Sequence, residues 1–229
     1  MKKFIYRKDK IIEICTNKKV LHLGFVQHAH LYKKKIKEGD WLHKMIASTA
    51  NHIVGIDYLE KEVKAIREEY GYECYYADVT QLDSLPDLNE KFDVIVCGEL
   101  IEHLENPGLM LKFCKKFMHP KTQLIITTPN PWSKTRINLI KKGVLEEKWL
   151  NKEHTCWFSF QTLKQLLERE CFQEVNYGYY VGECEQFTPK YRYSLLEFIR
   201  RLKYKLILHL TSIHLQDGLF FVASTSEEK

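Results

Sequence analysis

The sequence has little that marks a disulfide-stabilised, zinc–thiolate or membrane-spanning protein. Its seven cysteines are scattered and form no C-x-x-C pair, which argues against a zinc–thiolate site or a disulfide framework. Their odd number, and the position of several inside apolar runs, indicate reduced and mostly buried thiols in a cytoplasmic protein. No uncharged apolar stretch reaches the ~18 residues of a membrane span, and the basic N-terminal segment has no apolar run of signal-peptide length. Neither a transmembrane segment nor a signal peptide is therefore expected.

Glycine is scarce where a nucleotide-binding loop would need it. The run VLHLGF is typical of a buried strand that ends at Gly24, and no second or third glycine follows in the loop. A dinucleotide site needs G-x-G-x-x-G so that a helix N-terminus can meet the pyrophosphate, so NAD is disfavoured. The loop instead carries His28 and His30, which together with His22 and His43 leave open a metal site, packing within the loop or contacts with a cofactor.

A strong excess of either charge is also absent. The formal net charge is +5, with basic and acidic residues mixed along most of the chain, which makes nucleic acid an unlikely partner. The length of 229 residues, with 45% hydrophobic and 28% charged residues, predicts a globular protein with one domain over residues 1–229.

Short apolar runs alternate with longer helical patterns, which predicts an α/β fold with a mostly parallel sheet. The runs are unbroken rather than alternating, as expected for strands that helices cover on both faces. Seven strands are predicted, at 19–25, 52–58, 73–79, 92–98, 123–130, 174–182 and 218–226. Helical spacing occurs at 40–50, 59–70, 101–117 and 159–170.

A basic, amphipathic segment at about 187–215 separates the last two predicted strands. Arg200, Arg201, Lys203 and Lys205 stand there among leucine, isoleucine and phenylalanine. The pattern favours a helical lid over the substrate or a homodimer surface, and it is also compatible with peripheral contact with a membrane.

The predicted strands end in residues suited to ligand binding. In an open α/β sheet, ligands bind beyond the carboxyl ends of the strands. Gly24 ends the first strand, and its missing side chain lets the backbone approach a ligand. Asp57 ends the second strand and can accept hydrogen bonds from both hydroxyls of a ribose. Asp78 ends the third strand, where it can accept from an adenine amino group, and Glu99 follows the fourth.

The succession VLHLG, HIVGIDY, YYADV, FDVIVCGELIEHLENPGLML and LIITTPNP resembles the class I S-adenosylmethionine (SAM) dependent methyltransferases over residues 18–175. The resemblance implies a Rossmann-like seven-stranded sheet with helices on both faces and an antiparallel last strand. SAM carries no phosphate, so a glycine-poor loop is compatible with it. The family usually has an acidic residue at the position of His22 and a second glycine soon after Gly24. The cofactor-binding residues that the resemblance implies are His22, Gly24, Asp57, Tyr58, Asp78, Val79, Gly98 and Glu99.

A candidate metal site follows the fourth strand. Glu99, Glu102 and His103 follow one another at i, i+3 and i+4, which places them on one face of a helical turn, and His154 comes before a later helix. Two carboxylates and two imidazoles suit Mg²⁺, Mn²⁺ or Zn²⁺. The set is similar to the metal-assisted small-RNA 3′-end and ubiquinone-biosynthesis O-methyltransferases. The alternatives are a helix cap without metal and an unassisted general base at His154.

The predicted function is methyl transfer from SAM to a hydroxyl of a sugar or other small acceptor, with His154 and Glu99 as catalytic residues. A role in surface-glycan biosynthesis rests on the resemblance of ITTPNPWS and EHTCWFSFQTLKQLL to small methyltransferases of glycan assembly. Two alternatives stay open, a metal-dependent RNA 2′-O-methyltransferase and a SAM-fold protein that binds without catalysis.

Overall fold

The computed structural model describes residues 5–84, 88–148, 151–181 and 194–225. The last residues of two predicted strands, 182 and 226, lie outside these ranges, as do Cys184 and the first part of the predicted insertion, 187–193.

The described residues form one mixed sheet with eight strands in the order β1-β7-β8-β6-β5-β2-β3-β4. The strands are β1 (Ile5–Tyr6), β2 (Lys19–Leu23), β3 (His52–Asp57), β4 (Cys74–Tyr76), β5 (Phe92–Gly98), β6 (Met118–Pro129), β7 (Phe172–Val181) and β8 (Gly218–Thr225). β8 pairs antiparallel with β6 and β7, and the other pairs are parallel. The predicted α/β class and the antiparallel last strand are confirmed. The two-residue edge strand β1 is additional, and it is too short to leave a periodic signal.

Within the part of the chain that the structure describes, eight α-helices accompany the sheet: α1 (Arg7–Cys15), α2 (Tyr32–Glu38), α3 (Leu42–Ala47), α4 (Glu60–Tyr70), α5 (Pro107–Lys116), α6 (Lys134–Lys141), α7 (Phe160–Arg169) and α8 (Leu195–Leu210). The helical pattern at 101–117 divides into a 3₁₀ turn at Ile101–His103 and α5, because Pro107 favours the first position of a helix. Helices α1, α2 and α6 were not predicted, because their short segments are dominated by lysine, arginine and other polar residues.

The sheet is covered on both faces, which explains its unbroken apolar strands. Leu21 and Leu23 of β2 pack on one face in a cluster with residues of α5 and α7. Val20, from the alternate position of the same strand, packs on the other face with residues of α1 and α3. Among the described cysteines, four are buried and free, as the sequence predicts: Cys15, Cys74, Cys97 and Cys114.

The strand directions bring several loops to one edge of the sheet. β6 and β7 both run antiparallel to β8, so their carboxyl ends lie at the same edge as those of β2, β3 and β5. β8 begins at this edge, where Gly218 pairs with Pro129. The connection between β7 and β8, which contains α8, therefore begins and ends at the same edge of the sheet as the loops that follow Gly24, Asp57 and Gly98.

Truncation of Leu163 on α7 tests the packing of this core. Leu163 is fully buried, and Ser159 begins α7 with a capping box to Thr162. We expect Leu163→Ala to lower the free energy of unfolding by about 2–5 kcal/mol, because it removes apolar contacts and leaves a cavity. Urea denaturation measures the change. Gln165→Ala, at an exposed position of the same helix, is the control and is expected to stay within about 0.5 kcal/mol of the unmodified protein.

Candidate functional site

The ends of β2 and β3 are tied together at Asp57. Gly24 has φ +65°, and its N–H donates to the Ile56 carbonyl at 2.9 Å. The two oxygens of Asp57 accept from the backbone N–H groups of Val26 at 2.9 Å and Leu59 at 3.2 Å. The Asp57 carboxyl group is nearly enclosed, and its burial raises its pKa to about 6. The carboxylate is thereby held in place at the strand edge before any ligand arrives.

Two cavities adjoin at this point. The larger, about 570 Å³, is lined by Ile56 and Ala77, together with Asp78 and Val79. The smaller, about 280 Å³, is lined by Gly98, Glu99 and other charged or polar side chains. The residues that line both cavities are Gly24, Asp57, Tyr58, Leu100, His103 and Glu153. The site thus has an apolar compartment and a polar compartment joined at the end of β3.

Seven of the eight predicted cofactor-binding residues line these cavities: Gly24, Asp57, Tyr58, Asp78, Val79, Gly98 and Glu99. Asp78 also stabilises its own turn, because its Oδ1 accepts from the N–H of Thr80 at 2.8 Å and from the Thr80 hydroxyl at 2.7 Å. Gly98 leaves room for a guanidinium, since a Cβ there would lie 3.3 Å from Nη1 of Arg7.

The prediction that His22 contacts a cofactor is not supported, because His22 lines neither cavity. The alternation of β2 points its side chain to the sheet face that α1 and α3 cover. Its ring is buried there and stacks on His43, with the two Nδ1 atoms 3.2 Å apart. Burial and the nearby Arg7 lower the pKa of His22 to about 3, and burial also lowers the pKa of His43. Both rings are therefore neutral at physiological pH.

The proposed histidine metal cluster near Gly24 is divided by the fold. His22 and His43 lie inside the sheet–helix interface, whereas His28 lines the smaller cavity and His30 is exposed beside it. Among the described residues, these four histidines do not form a group with converging ligand atoms.

Three of the four predicted metal ligands do converge. One donor atom each of Glu102, His103 and His154 lies within 4.8 Å of the others. Backbone bonds bring the two segments together, because Thr155 N–H donates to the Glu102 carbonyl at 2.9 Å. The Thr155 hydroxyl adds a bond to the carbonyl of Leu104 at 3.0 Å.

The electrostatics of this trio resemble those of a ligand set without its cation. Among the described residues, neither carboxylate oxygen of Glu102 makes a hydrogen bond of normal geometry, although the Thr128 hydroxyl lies near enough to lower its pKa, and Nδ1 of His154 has no partner. Burial, and then the nearby Glu99 carboxylate, raise the pKa of Glu102 well above its usual value. Burial first, and then the neighbouring His103 and Arg136, lower the pKa of His154 to about 4. A cation would satisfy the orphaned oxygens and bind the neutral imidazole.

Glu99 is not part of the converging trio. Its φ is +54°, so it lies in a tight turn after β5 rather than on a helical turn with Glu102. Its N–H donates to the Thr127 carbonyl at 2.9 Å, and its Oε1 accepts from the Tyr180 hydroxyl at 2.9 Å. Glu99 lines the smaller cavity in this orientation.

The fold brings three further charged side chains to the site, none of them predicted from the sequence. Arg7 of α1 is buried and lines the smaller cavity, and its Nη1 donates to the Thr127 hydroxyl at 3.4 Å. Arg136 of α6 lies over the Trp157 ring at 4.8 Å. Glu153 lines both cavities, with its Oε2 3.8 Å from Nδ1 of His103. Only Glu153 had a signal in the sequence, its position next to His154.

Comparison with known proteins identifies the chain's relatives. A family model described as a methyltransferase domain matches residues 37–174, more than half of the chain. The ubiquinone biosynthesis O-methyltransferase of Idiomarina loihiensis is 27% identical over 123 residues, which cover 48% of this chain and 49% of that protein. The corresponding protein of Actinobacillus pleuropneumoniae serotype 7 is 29% identical over 123 residues, covering 48% and 53%. The chain thus spans about half the length of the curated relatives it matches.

Solved structures share the fold at low sequence identity. A SAM-dependent methyltransferase from Archaeoglobus fulgidus matches with a TM-score of 0.58 and 19% identity, over 96% of this chain and 91% of that chain. The N-methyltransferase NodS from Bradyrhizobium japonicum, solved with S-adenosylhomocysteine (SAH), matches with a TM-score of 0.54 and 14% identity, over 96% and 86%.

The buried His22–His43 pair predicts a loss of stability in acid. A histidine whose pKa is lower in the folded state than in the unfolded state makes the folded protein less stable in acid, because the unfolded chain binds the proton more readily. For His22 this loss of stability begins as pH falls through 6.5, the unfolded pKa, and grows until about pH 3, the folded pKa. We expect the free energy of unfolding to fall between pH 7 and pH 5 by about 2 kcal/mol more in the unmodified protein than in His22→Gln. Urea titrations at both pH values measure this. His30→Gln, at an exposed position, should keep the unmodified pH dependence. Equal pH dependence of His22→Gln and the unmodified protein would contradict the interpretation.

Proposed function

Because the chain belongs to a methyltransferase-domain family and shares its fold with a SAM-dependent methyltransferase, we propose that it transfers the methyl group of SAM to a hydroxyl of a small acceptor, a sugar or another hydroxylated molecule. The observation that carries the proposal is the junction of the two cavities at Asp57, with a cofactor-sized compartment on one side and the converging Glu102, His103 and His154 on the other. Cofactor and acceptor compartments must meet in this way for direct transfer between them.

The residues present fit SAM. Bound SAM supplies an electrophilic methyl group on a sulfonium, and the rest of the chemistry is alignment and proton removal. Asp57 offers a prepositioned carboxylate for the ribose hydroxyls. Ile56, Ala77 and Val79 offer an apolar compartment for adenine, and Asp78 offers an acceptor for its amino group. Arg7 is a buried cation in the polar compartment, where it suits the carboxylate of the methionine part.

The orphaned oxygens of Glu102 favour a divalent cation on the acceptor side. Glu102, His103 and His154 would hold it, and as a Lewis acid it would lower the pKa of an acceptor hydroxyl. A mixed carboxylate and imidazole set suits Zn²⁺ and Mn²⁺ better than Mg²⁺, which prefers oxygen ligands. Glu99, which Tyr180 holds at the cavity wall, would accept a hydrogen bond from the acceptor or remain a more distant ligand.

A role of His154 as an unassisted general base is less favoured. A conjugate acid with a pKa of about 4 makes its imidazole a weak proton acceptor for a hydroxyl. The same lowered pKa keeps the imidazole neutral, as a metal ligand requires. The contrast supports His154 as a ligand.

The choice of a hydroxyl acceptor is supported by the curated relatives, which are named O-methyltransferases. A saccharide acceptor, a glycan pathway, a cytoplasmic location and a homodimer remain predictions of the sequence. An RNA acceptor is disfavoured by the modest net charge of +5. Two measurements distinguish an enzyme from a non-catalytic protein of this fold. Absence of SAM binding would rule out the enzyme, and SAH release with a panel of sugar and phenolic acceptors would demonstrate it.

Substitution of Asp57 tests the cofactor site. We expect Asp57→Asn to weaken SAM binding about 10–100-fold, because charge-assisted hydrogen bonds to the ribose are lost. Calorimetry measures the affinity, and Asp83→Asn at an exposed position is the matched control. Ribose hydroxyls favour the ionised carboxylate, so the affinity of the unmodified protein should fall about tenfold as pH drops one unit below the Asp57 pKa of about 6. An undiminished affinity of Asp57→Asn for SAM and SAH would refute the assigned site.

Substitution of Glu102 tests the metal proposal. We expect Glu102→Gln to weaken Zn²⁺ or Mn²⁺ binding at least about tenfold in calorimetry while SAM binding is preserved, because Gln lacks the anionic ligand. EDTA should also reduce SAH release by the unmodified protein. Glu168→Gln, at an exposed position of α7, should bind metal normally. Unchanged metal affinity in Glu102→Gln, or activity insensitive to EDTA, would rule against the metal route.

A further inference from the structure

The apolar side of α8 is turned to solvent. Five side chains at helical spacing form a stripe and are 52–78% exposed: Leu195, Ile199, Leu202, Leu206 and Leu210. Leu196 at 82% and Phe198 at 48% widen it. A helix of a globular protein normally packs such a stripe against the core, and contiguous exposed apolar surface of this kind marks an interaction site.

The opposite side of α8 is the one that faces the protein. The side chain of Arg201 is only 13% exposed and pairs with Glu197 at 3.6 Å. Thr211, just after the helix, is buried and accepts from Nζ of Lys134 at 3.1 Å, which joins the end of α8 to the start of α6. Because the other side of the helix packs on the protein, the stripe faces solvent.

The connection that contains the stripe begins and ends at the edge of the sheet that carries the site. α8 connects the carboxyl end of β7 to the start of β8, and both lie at the edge where Gly24, Asp57 and Gly98 end their strands. Three more large apolar side chains follow β6 at this edge and are 60–63% exposed: Trp132, Ile140 and Leu145. Lys141 and Lys142 are exposed next to Ile140. The segments that follow β6 and β7 at this edge thus carry exposed apolar and basic residues.

The charges on α8 indicate which kind of surface the helix would bind. The helix has one acidic and four basic residues. Arg200 and Lys203 are exposed, whereas Glu197, the only acidic side chain of the helix, pairs with Arg201. Two α8 helices packed stripe to stripe would bring Arg200 and Lys203 of both copies together without acidic partners. An anionic surface with an apolar interior complements both the charge and the stripe.

We propose that α8 docks the protein on an anionic lipid surface, lying in the plane of the interface with its leucine stripe among the acyl chains. Its 16 residues span about 24 Å, less than the ~30 Å hydrocarbon core. No helix among the described residues is long and apolar enough to cross a membrane. Docking turns the cavities toward the lipid. The proposed function then has a consequence, which rests on that function: the acceptor hydroxyl belongs to a molecule that resides in the membrane.

Sedimentation of the full chain with vesicles tests the docking. We expect the partition coefficient to be at least about tenfold higher for phosphatidylcholine vesicles with ~30 mol% phosphatidylglycerol than for phosphatidylcholine alone, and to fall in about 0.5 M NaCl. The pair Leu202→Gln and Leu206→Gln should reduce it at least about tenfold, because two buried leucines are lost. The pair Arg200→Gln and Lys203→Gln should remove the preference for anionic lipid.

The matched control carries the same charge change on α4, where Lys61→Gln with Lys64→Gln alters two exposed lysines and should change partitioning less than about twofold. Undiminished vesicle binding of the leucine variant overturns the proposal. So does a concentration-dependent dimer in ultracentrifugation that the leucine variant loses while neither protein binds vesicles, which would assign the stripe to a second copy. SAM calorimetry on each variant does not depend on docking. Retained SAM binding shows that the variant is folded and supports the proposed function. Vesicle binding without SAM binding would refute only the function.

Discussion

The register of β2 between β3 and β5 is the constraint on which the site depends. Leu23 pairs with Ile56 on one side and with Cys97 on the other, so Gly24, Asp57 and Gly98 end at one level of the sheet. The bond from Val26 N–H to Asp57 then fixes the loop after β2 to the end of β3. A shift of one residue in a parallel strand would turn every side chain to the opposite face and separate these groups. The cavities form around this shared edge.

The site has two parts with different physical characters. The cofactor side relies on backbone geometry, with a left-handed glycine and a carboxylate whose pKa is raised to about 6 by burial. The acceptor side relies on buried donors with unsatisfied bonding capacity, chiefly the oxygens of Glu102. Burying these groups costs stability, and such a cost is retained where a ligand compensates it. The methyltransferase family and the proposed cation account for both parts together.

The exposed apolar surface of α8 is a second feature that costs stability unless a ligand or surface covers it. Its exposed leucines also carry a cost, because they remain in water when the protein is free. The strand directions place both ends of the connection that contains α8 at the edge of the cavities rather than at the opposite edge of the sheet. Lipid docking would therefore act on the same side as catalysis, and the acceptor would reach the site without crossing bulk water.

The sequence by itself determined the α/β class, the seven main strands and the acidic residues at their ends, because unbroken apolar runs and strand-terminal polar residues are local patterns. It also identified the three converging residues, through the spacing of Glu102 and His103 and the later His154. The tertiary structure alone decided that His22 pairs with His43, that Glu99 turns toward Tyr180 and that Arg7 enters the cavity. These outcomes depend on contacts between residues 21–120 positions apart, for which no local pattern exists.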